Sequence, residues 1–309
     1  MIEDGNIQEN SRSTHAWMED FYTFYKGVDP DFFTVGEAWT STEQVIEYTG
    51  DEVDIAFQFD LALDILNGAN SGLAPAFYKT QQLVYDSFPN NQYATFITNH
   101  DQNRVIDQLR GDEDKARMAA SLLLTAPGVP FIYYGEEIGM TGTKPDEDIR
   151  LPMQWNSNSP KVGFSTSGNL WRPAADDWVT KSVARQEDDP ESLLNHYKTL
   201  VHLRNQHEAL RVGDWTLIDS GSARIYAFLR HTENQTILVL MNLNAKQAVT
   251  ADKYSLNLDS GHLNGEMTAV SLFGQDMTGT LEADASGGFS DFIPFERIEP
   301  QTLHILELR

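Results

Sequence analysis

Hydrophobic residues along the first two-thirds of this chain alternate between a helical and a strand period. Trp17, Met18, Phe21 and Tyr25 share one helical face, which predicts a helix over 14–25 stopped at Gly27. Asp29-Pro30-Asp31 reads as a turn, followed by a strand over 32–35 and a short helix over 43–48. Ile55, Phe57 and Phe59 alternate, predicting a strand over 54–59 and then a single long helical region to about residue 88. Pro89-Asn90-Asn91 marks a turn before a strand over 93–98. Ala116, Ala119, Ala120 and Leu123 predict a helix over 113–124, broken by Pro127-Gly128. Residues 129–134 form a continuous apolar run, the pattern of a strand covered on both faces of a parallel sheet. Residues 139–185 are rich in Gly, Pro, Asn, Asp and Ser and predict a long loop, and loops of that length are usually functional. Asp189-Pro190 then opens a helix presenting Leu193, Leu194, Tyr197, Leu200 and Val201.

After about Val212 the pattern changes to short β-rich runs at 215–218, 225–229, 236–241 and 302–308, which predicts an antiparallel β-sandwich. Two domains are expected, 1–211 and 212–309, the first of α/β class. Four strand–helix units precede the sandwich. Glu37 and Asp101 end two of its strands and lie 64 residues apart. That equals two units of an eight-fold (β/α)8 barrel, whose active sites sit at the C-terminal rim of the strands. Right-handed crossovers put both carboxylates on one rim.

Composition narrows the partners. Of 309 residues, 46 are acidic and 22 are Lys or Arg, a net charge of −24. Nucleic acid needs a basic face and is excluded, as is an anionic membrane surface. A neutral ligand fits, and an acidic solvated surface explains the charge equally well. There is no cysteine, so disulfides and thiolate metal sites are out. Met1-Ile2-Glu3-Asp4-Gly5 has no signal-peptide pattern, and no apolar run is long enough to span a bilayer. The compartment stays open.

The segments Phe32-Phe33-Thr34-Val35-Gly36-Glu37-Ala38-Trp39 and Thr95-Phe96-Ile97-Thr98-Asn99-His100-Asp101 are apolar runs that end in polar and acidic side chains. Paired carboxyl groups across a glycosidic oxygen are the usual apparatus of glycoside cleavage. Glu37 beside Trp39 suits a general acid, because an apolar neighbour favours the protonated form. The plainer alternative is a carboxylate that tethers a loop. Asp101 suits a stabiliser of an oxocarbenium-like transition state, with His100 and Asn99 binding sugar hydroxyls; the alternative is a polar turn. No zinc-like spacing surrounds His100. Trp39, Trp155, Phe164 and Trp171 are candidates to stack on sugar rings, and core packing explains Trp155 and Trp171 as well.

Taken together, these segments resemble the α-amylase family of glycoside hydrolases. FFTVGEAW is similar to the strand-five segment carrying the general acid, and FITNHDQNRV to the strand-seven segment. PGVPFIYYGEEIGM is similar to strand eight and its loop. DIRLPMQW, GFS and DDPESLLNHYKTLVHLR resemble stretches near oligo-1,6-glucosidases. The resemblance implies that Glu37 is the acid/base and Asp101 the stabiliser, with His100, Asn99, Trp39 and Arg104 as substrate ligands. It implies an α-glucan or malto-oligosaccharide substrate and retaining hydrolysis of α-1,4 bonds. An α-1,6-specific or transglycosylating parent and a non-catalytic homologue are the alternatives. The family's first signature segment and its strand-four Gly-Phe-Arg-x-Asp segment, source of the nucleophile, have no counterpart in the 309 residues. The expected architecture is therefore the C-terminal half of a (β/α)8 TIM barrel followed by a β-sandwich. Met1–Gly5 would follow strand four, calcium would belong to the full-length parent, and the open half barrel would invite self-association.

Overall fold

The computed structural model describes residues 10–309, so the expectation attached to residues 1–5 lies outside the described residues. Helix α1 (Arg12–Val28) begins at Ser11, whose hydroxyl accepts the Thr14 N–H at 3.1 Å. Of its predicted face only Tyr25 is buried. Trp17 and Phe21 stack on each other at 5.3 Å and remain 49% and 42% exposed.

Strands β1 (Val35–Gly36), β2 (Ile55–Ala56), β3 (Ala94–Thr95) and β4 (Val129–Pro130) follow, each shorter than the apolar run that predicted it. They run parallel and neighbour one another in chain order. Val35 pairs with Ile55, a single bridge joins Phe57 to Ala94, and Ala94 pairs with Val129. Helices α2 (Thr42–Val45), α3 (Phe59–Ser71), α4 (Pro75–Ser87), α5 (Val105–Gln108) and α6 (Glu113–Thr125) lie between them. The single helical region expected up to residue 88 is two helices. Gly72 breaks it in the left-handed region at φ +70°, its N–H returning to the Gly68 carbonyl at 2.9 Å. A side chain there would meet Asn244 Cα at 2.9 Å, so glycine is required. Pro75 then opens α4.

Residues 139–185 are the long loop expected, with one turn of helix, α7 (Asp146–Ile149), inside it and α8 (Val183–Gln186) at its end. Helices α9 (Leu193–Gln206) and α10 (Glu208–Val212) lead into β5 (Asp214–Ile218), β6 (Ile225–His231) and β7 (Thr236–Asn242). The remaining strands are β8 (Val249–Thr250), β9 (Leu256–Leu258), β10 (Glu266–Met267), β11 (Ala269–Phe273), β12 (Leu281–Glu282), β13 (Phe289–Phe292), β14 (Arg297–Ile298) and β15 (Thr302–Leu308). A five-stranded antiparallel sheet has the order β11-β15-β7-β6-β5. The second layer differs from the full sheet expected of a sandwich. It is made of the two-stranded pairs β8–β14, β9–β13 and β10–β12.

Alternation along the long strands explains why both layers hold. Tyr226, Phe228, Ile237, Val239, Met241, Leu303 and Ile305 enter one core with α3, α4, α6 and α9. Ala227, Leu229, Leu238, Leu240, Leu306 and Leu308 enter a second core with Tyr254, Leu256 and Phe289. The central strands are apolar on both faces because both faces are covered.

Two buried arginines close the joint between helices and sheet. Arg204 of α9 donates to the carbonyls of Leu124, Ala126 and Gly128 at 3.0, 2.8 and 2.6 Å. Arg230 of β6 donates to those of Thr125 and Gly213 at 2.8 and 2.9 Å. Four of these five carbonyls belong to the last turn of α6 and the bend after it, where helical carbonyls lack partners and the helix dipole is negative. Burial pulls Arg204 down to about 10 and Arg230 down to about 9, so both stay cations at neutral pH. Arg204→Met strands three buried acceptors. The predicted loss is about 3–5 kcal/mol, read as a lower urea midpoint at unchanged slope. An unchanged midpoint contradicts this role.

Candidate functional site

The strand ends gather the predicted residues. Glu37 follows β1 directly and is exposed to solvent. Asn99, four residues past β3, reaches it with Nδ2 3.5 Å from Glu37 Oε1. Asn99 Oδ1 accepts the Asp101 N–H at 2.9 Å, a side-chain turn that fixes the carboxylate beside it. His100 Nε2 lies 3.5 Å from Asp101 Oδ2, and both side chains are partly exposed. Trp39 stacks on Phe59 at 4.7 Å, over an aromatic group in which Phe59 and Phe57 meet Phe96. Gly36, Glu37, Ala38 and Trp39 share a cavity of about 340 Å³ with Met18.

Arg104 is placed differently from the other five. It is only 2% exposed, its guanidinium lying over the rings of Tyr133 and Tyr134 and donating to the Tyr134 carbonyl at 2.6 Å. Its backbone N–H bonds Gly142 O at 2.9 Å. This side chain holds the turn after β4 rather than facing the open rim, a correction to the substrate contact implied by resemblance.

The geometry gives a role to Arg150, which the sequence placed only within the DIRLPMQW stretch. Arg150, at the end of α7, bonds Asp101 Oδ1 and Asp146 Oδ2 with Nη2 and the His100 carbonyl with Nε. It ties the long loop to the strand-end carboxylate. Only its charge in an aperiodic stretch could have singled it out. Trp155, Phe164 and Trp171, all more than half exposed, converge with Arg150, Glu137 and Tyr134 on a pocket of about 550 Å³. The core alternative for Trp155 and Trp171 is therefore wrong.

Beneath this pocket lies a buried polar knot. Glu136 accepts the Tyr197 hydroxyl at 2.7 Å on Oε1, while its Oε2 and Arg104 Nε and Nη2 are buried without partners. Burial, with Glu137 beside it, pushes Glu136 up to about 8, and Arg104 pulls the other way. Burial raises Glu137 too. Among the described residues no group of three or more His, Cys, Asp or Glu side chains could hold a metal ion.

A carboxylic acid held neutral in the fold binds its proton more tightly than in the unfolded chain. Its stabilisation is full below about pH 4.5 and is lost as pH rises toward 8. Stability should fall across that window by up to roughly 1.4 kcal/mol per pH unit. Glu136→Gln keeps an acceptor for Tyr197 and should flatten the slope in urea midpoints measured from pH 5 to pH 8. An equally steep slope in the variant contradicts the assignment.

Comparison with known proteins identifies the family. The model of the alpha amylase catalytic domain matches residues 2–213. Alpha-amylase 3 of Dictyoglomus thermophilum is 35% identical over 245 residues, 77% of this chain and 48% of the relative. A probable oligo-1,6-glucosidase of Bacillus subtilis is 28% identical, covering 79% of this chain and 52% of the relative. The crystal structure of an alpha-amylase from H. orenii superposes with a TM-score of 0.75 at 33% identity, over 96% of this chain and 57% of that one. The chain spans about half the length of the curated relatives it matches. It belongs to the alpha-amylase family.

Proposed function

We propose that this chain is the acid-bearing part of a retaining glycoside hydrolase acting on α-1,4 bonds of starch-like glucans. The observation that carries the reading is the linked set Glu37, Asn99, Asp101 and Arg150 at adjacent strand ends. Glu37 is exposed and next to a cavity, so it can reach a glycosidic oxygen, protonate it, and later deprotonate the attacking water. Asp101, oriented by Asn99 and Arg150, supplies negative charge where the sugar ring becomes cationic. His100 and Asn99 offer hydrogen bonds to hydroxyls, and Trp39, Trp155 and Trp171 offer rings to stack on. Maltogenic and oligo-1,6 activities appear among the names of similar proteins, which keeps α-1,6 bonds as the second reading.

The 309 residues hold no Gly-Phe-Arg-x-Asp segment, and on this reading the nucleophile is supplied by sequence outside them. We read β1–β4 as strands five to eight of the barrel, with the domain division at 211/212. Residues 1–309 alone should then cleave an aryl α-maltoside at least about 10³-fold more slowly than a form that includes the nucleophile segment. In that longer form Glu37→Gln should lower kcat by about 10²–10⁴-fold. Full-rate cleavage by residues 1–309 that Glu37→Gln abolishes overturns the missing-nucleophile reading, and an unchanged kcat for Glu37→Gln in the longer form overturns the acid role. Isomaltose assayed beside maltotriose separates α-1,6 from α-1,4 preference.

Self-association through the open half barrel is part of the same reading. Trp17, Phe24, Val28, Phe32 and Phe33 are 49%, 68%, 73%, 52% and 58% exposed on and after α1, beside β1. Sedimentation velocity should show association that grows with concentration and weakens in Phe24→Lys. A monomer at all concentrations contradicts it.

A further inference from the structure

The segment that carries Glu37 is held at both ends by the same pairing of side chains. Thr34, just before β1, donates its N–H and its hydroxyl to Asp54 Oδ2 at 2.8 and 2.9 Å. Thr42, the first residue of α2, donates its N–H and its hydroxyl to Asp60 Oδ2 at 2.8 and 3.0 Å. Each carboxylate comes from the next strand–helix unit, Asp54 just before β2 and Asp60 in the first turn of α3. Glu37 lies between the two clamps.

Their surroundings differ. Lys26 of α1 pairs with Asp54 at 2.8 Å, and the Tyr25 and Thr34 hydroxyls meet at 2.7 Å, so the first clamp ties the start of β1 to α1. The second clamp follows the acid. Residues 38–41 have light anchors: the Thr40 N–H bonds Ala38 O at 2.9 Å, and Asn10 Nδ2 reaches Thr40 Oγ1 at 3.2 Å. Ser41, before α2, makes no side-chain bond into its first turn among the described residues. The buried Thr42 N–H is a helix-end donor, and Asp60 meets it with an acceptor and a negative charge. Next to Asp60 is Phe59, the buried ring on which Trp39 stacks at 4.7 Å and which meets Phe96 edge-on at 5.1 Å. Residues 59 and 60 therefore touch the acid segment through a ring and a carboxylate, and the Asp101 segment through Phe96.

We propose that Asp60 is a positioning residue for Glu37: its bonds to Thr42, with the Trp39–Phe59 stack, fix the angle at which the acid meets a glycosidic oxygen. This rests on Glu37 being the acid. Asp60 makes no contact with the sugar in this role. An acid misplaced by about 1 Å costs on the order of 10²-fold in rate.

Asn and Ala at position 60 both remove the charge, but only Asn keeps an acceptor for Thr42. In the longer form that includes the nucleophile segment, Asp60→Ala should lower kcat/KM for phenyl α-maltoside by about 30-fold. For 2,4-dinitrophenyl α-maltoside, whose leaving group departs without a proton, the loss should stay under about threefold. Asp60→Asn should recover most of the activity on the phenyl substrate. Thr42→Val, which removes the hydroxyl and keeps the N–H, should fall between them, and it carries the same comparison where Asp60→Ala fails to fold. Residues 1–309 give a readout independent of catalysis. The chain has no cysteine, so Glu37→Cys places a single thiol at the acid position. A nitroxide on it should move faster in Asp60→Ala than in Asp60→Asn or the parent. Equal losses on the two substrates, an Asp60→Asn as impaired as Asp60→Ala, or a label indifferent to Asp60→Ala overturns the proposal. A label freed by Asp60→Ala together with an unchanged kcat for Glu37→Gln supports the clamp and overturns the acid role instead.

Discussion

The negative pole of α6 is where the two halves of this molecule meet, and two buried guanidinium groups make that meeting tolerable. A helix that ends inside a protein leaves carbonyls without partners, and burying them unmet is costly. Arg204 arrives from a helix and Arg230 from the sheet, so one helix end is satisfied by both parts at once. Among the described residues neither cation has a carboxylate partner at the joint; carbonyl dipoles hold both. The joint therefore depends on the bend Ala126–Gly128 keeping its carbonyls turned inward. Gly128, at φ +94° and pressed against Tyr93, allows that bend.

This constraint reaches the candidate site through β3 and β4. Tyr93 packs at the start of β3, and Gly128 precedes β4, so the bend below sets where those strands begin. Their far ends carry Asn99–Asp101 and the turn Gly135–Ile138. The charged groups near the rim are not independent either. Arg150 restrains Asp101 from the loop side, and Arg104 with Glu136 supports the turn from below. The proposed chemistry asks little of any single residue beyond position, and that position comes from packing several residues away.

Much of this was legible in the chain. Both acid-bearing segments announce themselves by an abrupt change from β-branched and aromatic residues to polar ones. The long strand Thr302–Leu308 is legible to the residue, because it is a short run rich in Leu and Ile that follows Glu299-Pro300-Gln301. The split between α3 and α4 was hidden: Gly72 is needed for its contact with Asn244, more than 170 positions away, and local propensity favours helix on both sides. Helix α1 misled in another way. Its apolar stripe promised a buried face, yet much of that stripe is uncovered among the described residues. Trp155, Phe164 and Trp171 were legible singly as stacking candidates, but their convergence on one pocket and the reach of Arg150 to Asp101 were not, since an aperiodic loop carries no record of what it folds against. Arg104 shows the opposite error, a motif position that geometry puts to structural use.

If the arginine joint makes the helical and sheet parts one cooperative unit, heat should unfold them together. Differential scanning calorimetry of residues 1–309 at neutral pH measures this directly. A single endotherm whose calorimetric and van't Hoff enthalpies agree is the predicted result. Two resolved transitions, or a van't Hoff enthalpy well below the calorimetric one, would show that the parts melt separately and would contradict the account.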